Sequence, residues 1–162
     1  MGVGEKARAC LILADFANAD AASKLNLIGG GWQVTGLMPS GLTGPQALVA
    51  MIEVPPNLAG TEFPLSITLL DEGGAQVMMP TPTGGQEALR IAQLAKAEIP
   101  NVPGVLLHGK VWSRVQVILN FSNGLPLQAG QSYTWSLEID GTHDPQWAVS
   151  FFVAAPPRPV VG

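Results

Sequence analysis

The residues suited to acid–base catalysis are few. The 162-residue chain has two histidines, His108 in LLHGK and His143 in GTHDP, and Asp144 follows the second. A hydrolase would need His108, His143 and Asp144 to converge, because a general base must lie within hydrogen-bond reach of the groups it serves. No HExxH, HxH or GxSxG spacing occurs, and the simplest interpretation places His143 in a turn after Asp140 and Gly141. We expect no enzyme activity and no catalytic residue.

Oxygen ligands for a metal occur close together in ADFANADAAS, where the candidate calcium ligands are Asp15, Asn18 and Asp20. The alternative, which the pattern favours, is that these side chains cap the backbone of a turn. Cys10 is the only cysteine, so neither a disulfide within the chain nor a multi-cysteine zinc site can form. Its apolar run ACLILA predicts a small buried residue. We therefore predict no metal and no cofactor.

Three consecutive glycines stand between an apolar run and a tryptophan in LNLIGGGWQVTG, namely Gly29, Gly30 and Gly31. A phosphate-binding loop would need a helix after the glycines, whereas a strand pattern follows. Apolar positions are odd before the glycines, at Leu25 and Leu27, and even after them, at Trp32 and Val34. A strand that keeps one face on the core through this change must absorb an extra residue, so the stretch predicts a β-bulge.

The four tryptophans divide into two groups. Trp32, Trp135 and Trp147 are in phase with the apolar faces of their segments, which predicts core packing. Trp112 is out of phase and is the candidate for a surface contact. The alternative function, a cytoplasmic small-ligand or carbohydrate-binding module, would use Trp112 together with the loop 15–20.

Alternation with period two recurs along the chain and predicts strands with one buried face. It is clearest in 133–140, 111–121 and 63–70, while 46–54 is apolar on both faces and predicts a central strand, with a short buried helix left open. Residues 87–99 fit strand or helix, and strand is slightly preferred. We expect an all-β, antiparallel β-sandwich, Ig-like or jelly-roll, with about eight to ten strands and at most one short helix.

The composition favours a single domain made of short strands and turns. Only 12% of residues are charged, while glycine and proline number 19 and 14. The expected domain covers residues 1–153, and residues 154–162 are a Pro-rich extended tail.

Charge and hydropathy exclude two kinds of partner. The net charge of −4 leaves no stripe of basic side chains for nucleic acid. No apolar run is long enough to span a membrane and no leader is evident, so we expect synthesis in the cytoplasm. Low charge also indicates that a partner covers apolar surface, and we expect a homo-oligomer.

Three stretches carry a resemblance to a known family: LILADFANAD with KLNLIGGGW, then IEVP, then LQAGQSYTWSLEIDG. Together they resemble an uncharacterised family of small proteins from actinobacteria and their phages. The resemblance implies a β-rich single domain without an established activity, and it transfers no catalytic residue.

A separate pattern, Leu127-x-x-Gly130-x-x-Tyr133, resembles a corner common in Ig-like sandwiches, where a tyrosine hydroxyl ties a turn. The structural residues of the chain are accordingly expected at the glycines, at Trp32, at Gly130 and at Tyr133.

The functional expectation is a non-enzymatic structural or assembly protein that binds protein surfaces, either its own copies or a capsid or other lattice. A phage virion component, such as a capsid decoration or minor structural protein, follows from the resemblance and would place the protein in the virion. The ligand-binding module remains the alternative.

Overall fold

The computed structural model describes residues 2–160, which form twelve strands and one 3-10 turn, Pro56–Leu58. The strands are β1 (Arg8–Ala14), β2 (Phe16–Ala19), β3 (Leu25–Ile28), β4 (Val34–Gly36), β5 (Gln46–Val54), β6 (Glu62–Leu70), β7 (Met78–Pro80), β8 (Gln86–Ala88), β9 (Arg90–Lys96), β10 (Ser113–Phe121), β11 (Gln131–Ile139) and β12 (Thr142–Ala154).

These strands form two sheets and two ribbons. One sheet has the order β1-β5-β10 and the other β4-β12-β11-β6-β9; the ribbons are β2-β3 and β7-β8. Pairing is antiparallel except between β4 and β12. The all-β prediction is confirmed. The structure has more strands than the predicted eight to ten. The ribbon strands have only three or four residues each, which is too few for an alternating pattern to be recognised. The choice between an Ig-like sandwich and a jelly roll remains a prediction.

The two sheets share one hydrophobic core, to which each contributes the apolar face of its strands. The inward side chains predicted for 63–70 and 133–140 are all buried: Phe63, Leu65, Ile67, Leu69, Tyr133, Trp135, Leu137 and Ile139. Trp135 stacks on Phe121 with ring centroids 5.6 Å apart, and Trp147 is also buried. The core packing predicted for Trp135 and Trp147 is confirmed.

Strand β5 is the central strand of its sheet and is buried on both faces, as predicted. Leu48 and Ile52 belong to the shared core. Ala47 and Val49 face the other way and are covered by the ribbon β2-β3, whose Ala17 packs against them. The open assignment of 87–99 is also decided, because β9 pairs with β6 along its whole length and excludes a helix there.

The ribbon covers only part of the outer face of the three-stranded sheet. The predicted burial of Cys10 is therefore wrong. Cys10 is exposed, on the outer face of the edge strand β1 and opposite Met51. The ribbon covers the end of β1 near Ala14, which is fully buried. The apolar run ACLILA did not show where that cover stops.

Asn120 holds the ribbon against the sheet with its side-chain amide. Its Nδ2 donates a hydrogen bond to the Ala17 carbonyl at 2.8 Å, and its Oδ1 accepts one from the Ala17 N–H at 3.2 Å. A side chain thus replaces the strand partner that β2 lacks on this edge. Gln116 adds a bond from Nε2 to the Ser23 carbonyl at 3.1 Å.

The corner before β11 is tied by the only tyrosine. The hydroxyl of Tyr133 accepts a hydrogen bond from the Gln128 N–H at 3.0 Å, and the Gly130 N–H donates to the Val153 carbonyl at 2.7 Å. Tyr133 also packs on Phe151, with centroids 5.9 Å apart. This contact joins the corner to β12.

The chain leaves the fold after β12, which ends at Ala154. Residues 155–160 belong to no strand and are exposed, and residues 161–162 of the predicted tail lie outside the described residues. Within 2–160, no helix has the length and apolar character needed to cross a membrane.

Asn120→Ala should lower the free energy of unfolding by about 1–3 kcal/mol, because the buried N–H and C=O of Ala17 both lose their partner. Urea unfolding followed by tryptophan fluorescence measures the loss. Asn18→Ala, on the exposed face of the same ribbon, is the matched control and should change little. Equal effects of the two substitutions would contradict the role given to Asn120.

Tyr133→Phe should cost about 1 kcal/mol, because the Gln128 N–H loses its acceptor while the ring remains. Thermal unfolding should show a lower Tm with an unchanged far-UV spectrum. An unchanged Tm would show that the hydroxyl does not stabilise the corner.

Candidate interaction surface at the glycine loop

The candidate catalytic residues do not form one site. His143 Nε2 lies 2.7 Å from Glu138 Oε2 on the outer face of the five-stranded sheet. Neither Asp144 nor His108 lines the shallow depression around His143. Asp144 Oδ1 instead accepts a hydrogen bond from the Gln146 N–H at 2.8 Å. The hydrolase arrangement that the sequence allowed is therefore not assembled.

The candidate calcium ligands are also separated. Asp15 precedes β2 and Asp20 follows it, and an extended strand places positions five residues apart about 16 Å from each other. Asp20 Oδ1 accepts hydrogen bonds from the N–H groups of Ala22 and Lys24, at 2.8 and 2.9 Å. Asp20 thus caps the turn between β2 and β3. Among residues 2–160, no cluster of three or more His, Cys, Asp or Glu side chains is placed to hold a metal ion.

Trp112 lies far from these carboxylates. It is half-buried, and the guanidinium carbon of Arg8 lies 4.3 Å from its ring centroid. Arg8 begins β1 and Asp15 follows the end of that strand, so about 23 Å separates them. The ligand-binding arrangement of Trp112 with the loop 15–20 is not brought together.

The glycines do not form a β-bulge, and that prediction is wrong. Ile28 ends β3 in the ribbon, whereas Val34 begins β4 at the edge of the five-stranded sheet. The chain therefore changes sheets at residues 29–31. The shift of the apolar positions from odd to even arises because two different strands are compared, and a single strand with an extra residue would produce the same pattern.

Backbone hydrogen bonds attach the glycine loop to the end of β1. The Gly31 N–H donates to the Leu13 carbonyl at 2.7 Å, and the Asp15 N–H donates to the Ile28 carbonyl at 2.9 Å. Gly29 has a φ of +62°, and a Cβ there would lie 2.1 Å from Asp15 Oδ2. The close approach of the Asp15 carboxylate therefore requires glycine at position 29.

The loop borders a depression of about 430 Å³, whose lining includes Asp15, the three glycines, Trp32 and Val34. A second depression shares Asp15 and Pro45 with the first and extends to Phe16. We call the region the glycine-loop surface. It consists of Asp15, Phe16, Ile28, residues 29–31, Val34 and Phe152.

Two pairs of apolar side chains flank the loop. Phe16 and Ile28 are cross-strand neighbours in the ribbon, and Val34 and Phe152 are neighbours between β4 and β12. All four are exposed, from 40% for Phe152 to 64% for Ile28. The exposed apolar side chains therefore stand on hydrogen-bonded strands on either side of the loop, while the depression at the loop itself is lined largely by polar groups.

Trp32 connects this surface to the core. Its ring meets Phe151 edge to face, with centroids 5.5 Å apart, and the same residue lines the depression. The indole Nε1 is buried and finds no acceptor within residues 2–160. The core packing predicted for Trp32 thus accounts for its contact with Phe151 and does not account for its place in the lining of the depression.

Asp15 is the one charged residue lining either depression. The ion pairs found among residues 2–160 do not include it. The surface therefore combines apolar side chains with a single carboxylate that is open to a cation from outside.

The exposure of Phe152 has a signal in the sequence. Adjacent residues of a strand point to opposite faces, so in the run Phe151-Phe152-Val153 the side chain of Phe152 is exposed unless a second layer covers its face, as the ribbon does for β5. Ile28 follows Leu27 in the same way. Which of the two faces is solvent-exposed depends on the rest of the fold.

Gly29→Ala should destabilise the fold by more than the roughly 1–2 kcal/mol that a left-handed backbone costs a non-glycine residue. The added Cβ also displaces the Asp15 carboxylate. Gly31→Ala is the matched control, since its φ is +84° but nothing lies within 4 Å of the new Cβ. Chemical unfolding of both variants measures the difference, and a larger loss at Gly31 would contradict the described packing.

Comparison with known proteins identifies the family of the chain but assigns no activity to it. No curated protein matches the chain. Residues 9–153 match the family described as "Family of unknown function (DUF6941)". The matched range begins in β1 and ends in β12, so it spans both sheets, both ribbons and the glycine-loop surface. The chain belongs to this family of unknown function.

Proposed function

We propose that this domain is a non-enzymatic assembly protein that binds protein surfaces, its own copies included, through the glycine-loop surface. The observation that carries the proposal is the exposure of two cross-strand apolar pairs, Phe16 with Ile28 and Val34 with Phe152, on the strands before and after the loop. Exposed apolar pairs that contain aromatic side chains are typical of protein interfaces.

The surface is also rigid, which favours binding. Hydrogen bonds from Gly31 and Asp15 fix the loop, and the apolar pairs stand on paired strands. Little conformational entropy is therefore lost when a partner covers the region, and more of the contact free energy remains as affinity.

The setting within this proposal is a phage virion, where the protein would act as a capsid decoration or minor structural component. That part is supported by the resemblance of LILADFANAD and KLNLIGGGW to actinobacterial and phage proteins. The fold adds a compatible property, because a rigid apolar surface suits attachment to a repeating protein lattice.

Light scattering of the purified chain over a range of concentrations tests the proposal. We expect an oligomer, and we expect Ile28→Ser with Phe152→Ser to shift it towards monomer, since both side chains lose their apolar contacts. Leu94→Ser is the matched control. Leu94 is 71% exposed on β9, at the opposite edge of the five-stranded sheet from β4.

A wild-type chain that stays monomeric at every concentration would contradict self-assembly through this surface. Dissociation by Leu94→Ser to the same degree as by the double variant would place the interface elsewhere. Far-UV circular dichroism of each variant shows whether the fold is intact.

A further inference from the structure

We infer that the occupant of the glycine-loop surface is the C-terminal arm of a second copy, residues 155–160, with its Arg158 paired to Asp15. The inference rests on the proposed function and names the partner of that surface. It assigns a role to an exposed segment that belongs to no strand.

The arm has the properties of a docking segment. It contains Pro156, Pro157 and Pro159, is exposed throughout, and makes no hydrogen bond to the rest of the described chain. Proline fixes φ near −65°, so such a segment is already extended before it binds. Extended proline-rich segments dock into shallow grooves lined by aromatic side chains. The depression at the glycine loop offers one aromatic side chain, Trp32, beside Val34 and Pro45.

The charges match one to one. Arg158 is the only charged residue of the arm, and Asp15 is the only charged residue that lines the two depressions. A guanidinium group and a carboxylate form two parallel hydrogen bonds with defined geometry. Arginine flanked by prolines thus presents one cation at a fixed place along an apolar segment.

Strand direction favours a second copy over the chain's own loop as the surface that the arm contacts. Strands β4 and β12 run parallel, with Phe152 opposite Val34 and Ala154 opposite Gly36. The chain therefore leaves at the end of β4, whereas residues 29–31 lie before its beginning. A return to its own loop would need to reverse direction and cover about 16 Å from Gly36.

The direction and the short length of the arm both oppose that return. The four residues from Ala154 to Arg158 span about 12 Å in the extended proline conformation, and the pair Pro156-Pro157 opposes a reversal. The arm therefore points away from its own surface. Each copy gives one arm and receives one, either by reciprocal exchange between two copies or head to tail in a ring or filament.

Charge reversal in the full-length chain tests the pair. Arg158→Asp alone, and Asp15→Arg alone, should each weaken association at least about tenfold, because like charges then face each other. The double variant restores an opposite pair and should recover the wild-type mass by light scattering. Lys110→Asp changes the charge of an exposed basic residue in the β9–β10 connection by the same amount and should leave the mass unchanged.

Asp15→Arg changes a residue close to Gly29, so the fold of that variant must be checked. If it does not fold, Asp15→Asn and Arg158→Gln test the same contact. Their effects on the dissociation constant must be non-additive, because either substitution alone already removes the pair.

The outcomes separate the two proposals. An oligomer that depends on Ile28 and Phe152 but is unaffected by Arg158→Asp overturns the arm and leaves the proposed function standing. The same holds if each single reversal weakens association but the double variant fails to recover. A wild-type monomer at every concentration overturns both.

Discussion

The burial of β5 on both faces is the constraint on which the rest of the structure depends. One face belongs to the core between the sheets, and the other carries Val49 and Ala47, which need a cover of their own. The ribbon β2-β3 supplies it and is held by the Asn120 amide. After the ribbon the chain must cross to the other sheet, and residues 29–31 make that crossing. The exposed glycine loop is therefore a consequence of covering β5.

Alternation predicted those elements that have one apolar and one polar face. Strands β6 and β11 are of this kind, and their inward residues lie where expected. The parity change at residues 29–31 was ambiguous, because a bulge and a change of sheet shift the register alike. Asp15 and Asp20 are far apart because residues 16–19 between them are extended. A segment of four residues is too short for its sequence pattern to show that it forms a strand. The exposure of Cys10 depends on where the ribbon ends, a tertiary property that local pattern does not contain.

The polar face of the five-stranded sheet and the glycine-loop surface differ in what they can do. His143 and Glu138 form their pair on an open face where water reaches both side chains. The pair borders a shallow depression on this face. The glycine-loop surface offers shape, apolar area and one carboxylate. These are means of recognition, which is why the proposed interface is placed there.

A rigid surface and an extended arm have complementary thermodynamic roles. The surface is fixed by the hydrogen bonds of Gly31 and Asp15, while the arm has its backbone restricted by proline before contact. Both partners therefore lose little entropy, but an arm of six described residues buries only a small area. A single contact of this size is weak. In a closed ring or on a lattice every copy is held by two contacts, and the second forms within an assembly already joined by the first. The strength of the proposed assembly would then come from its closure, and a modest arm would suffice because each copy both gives and receives one.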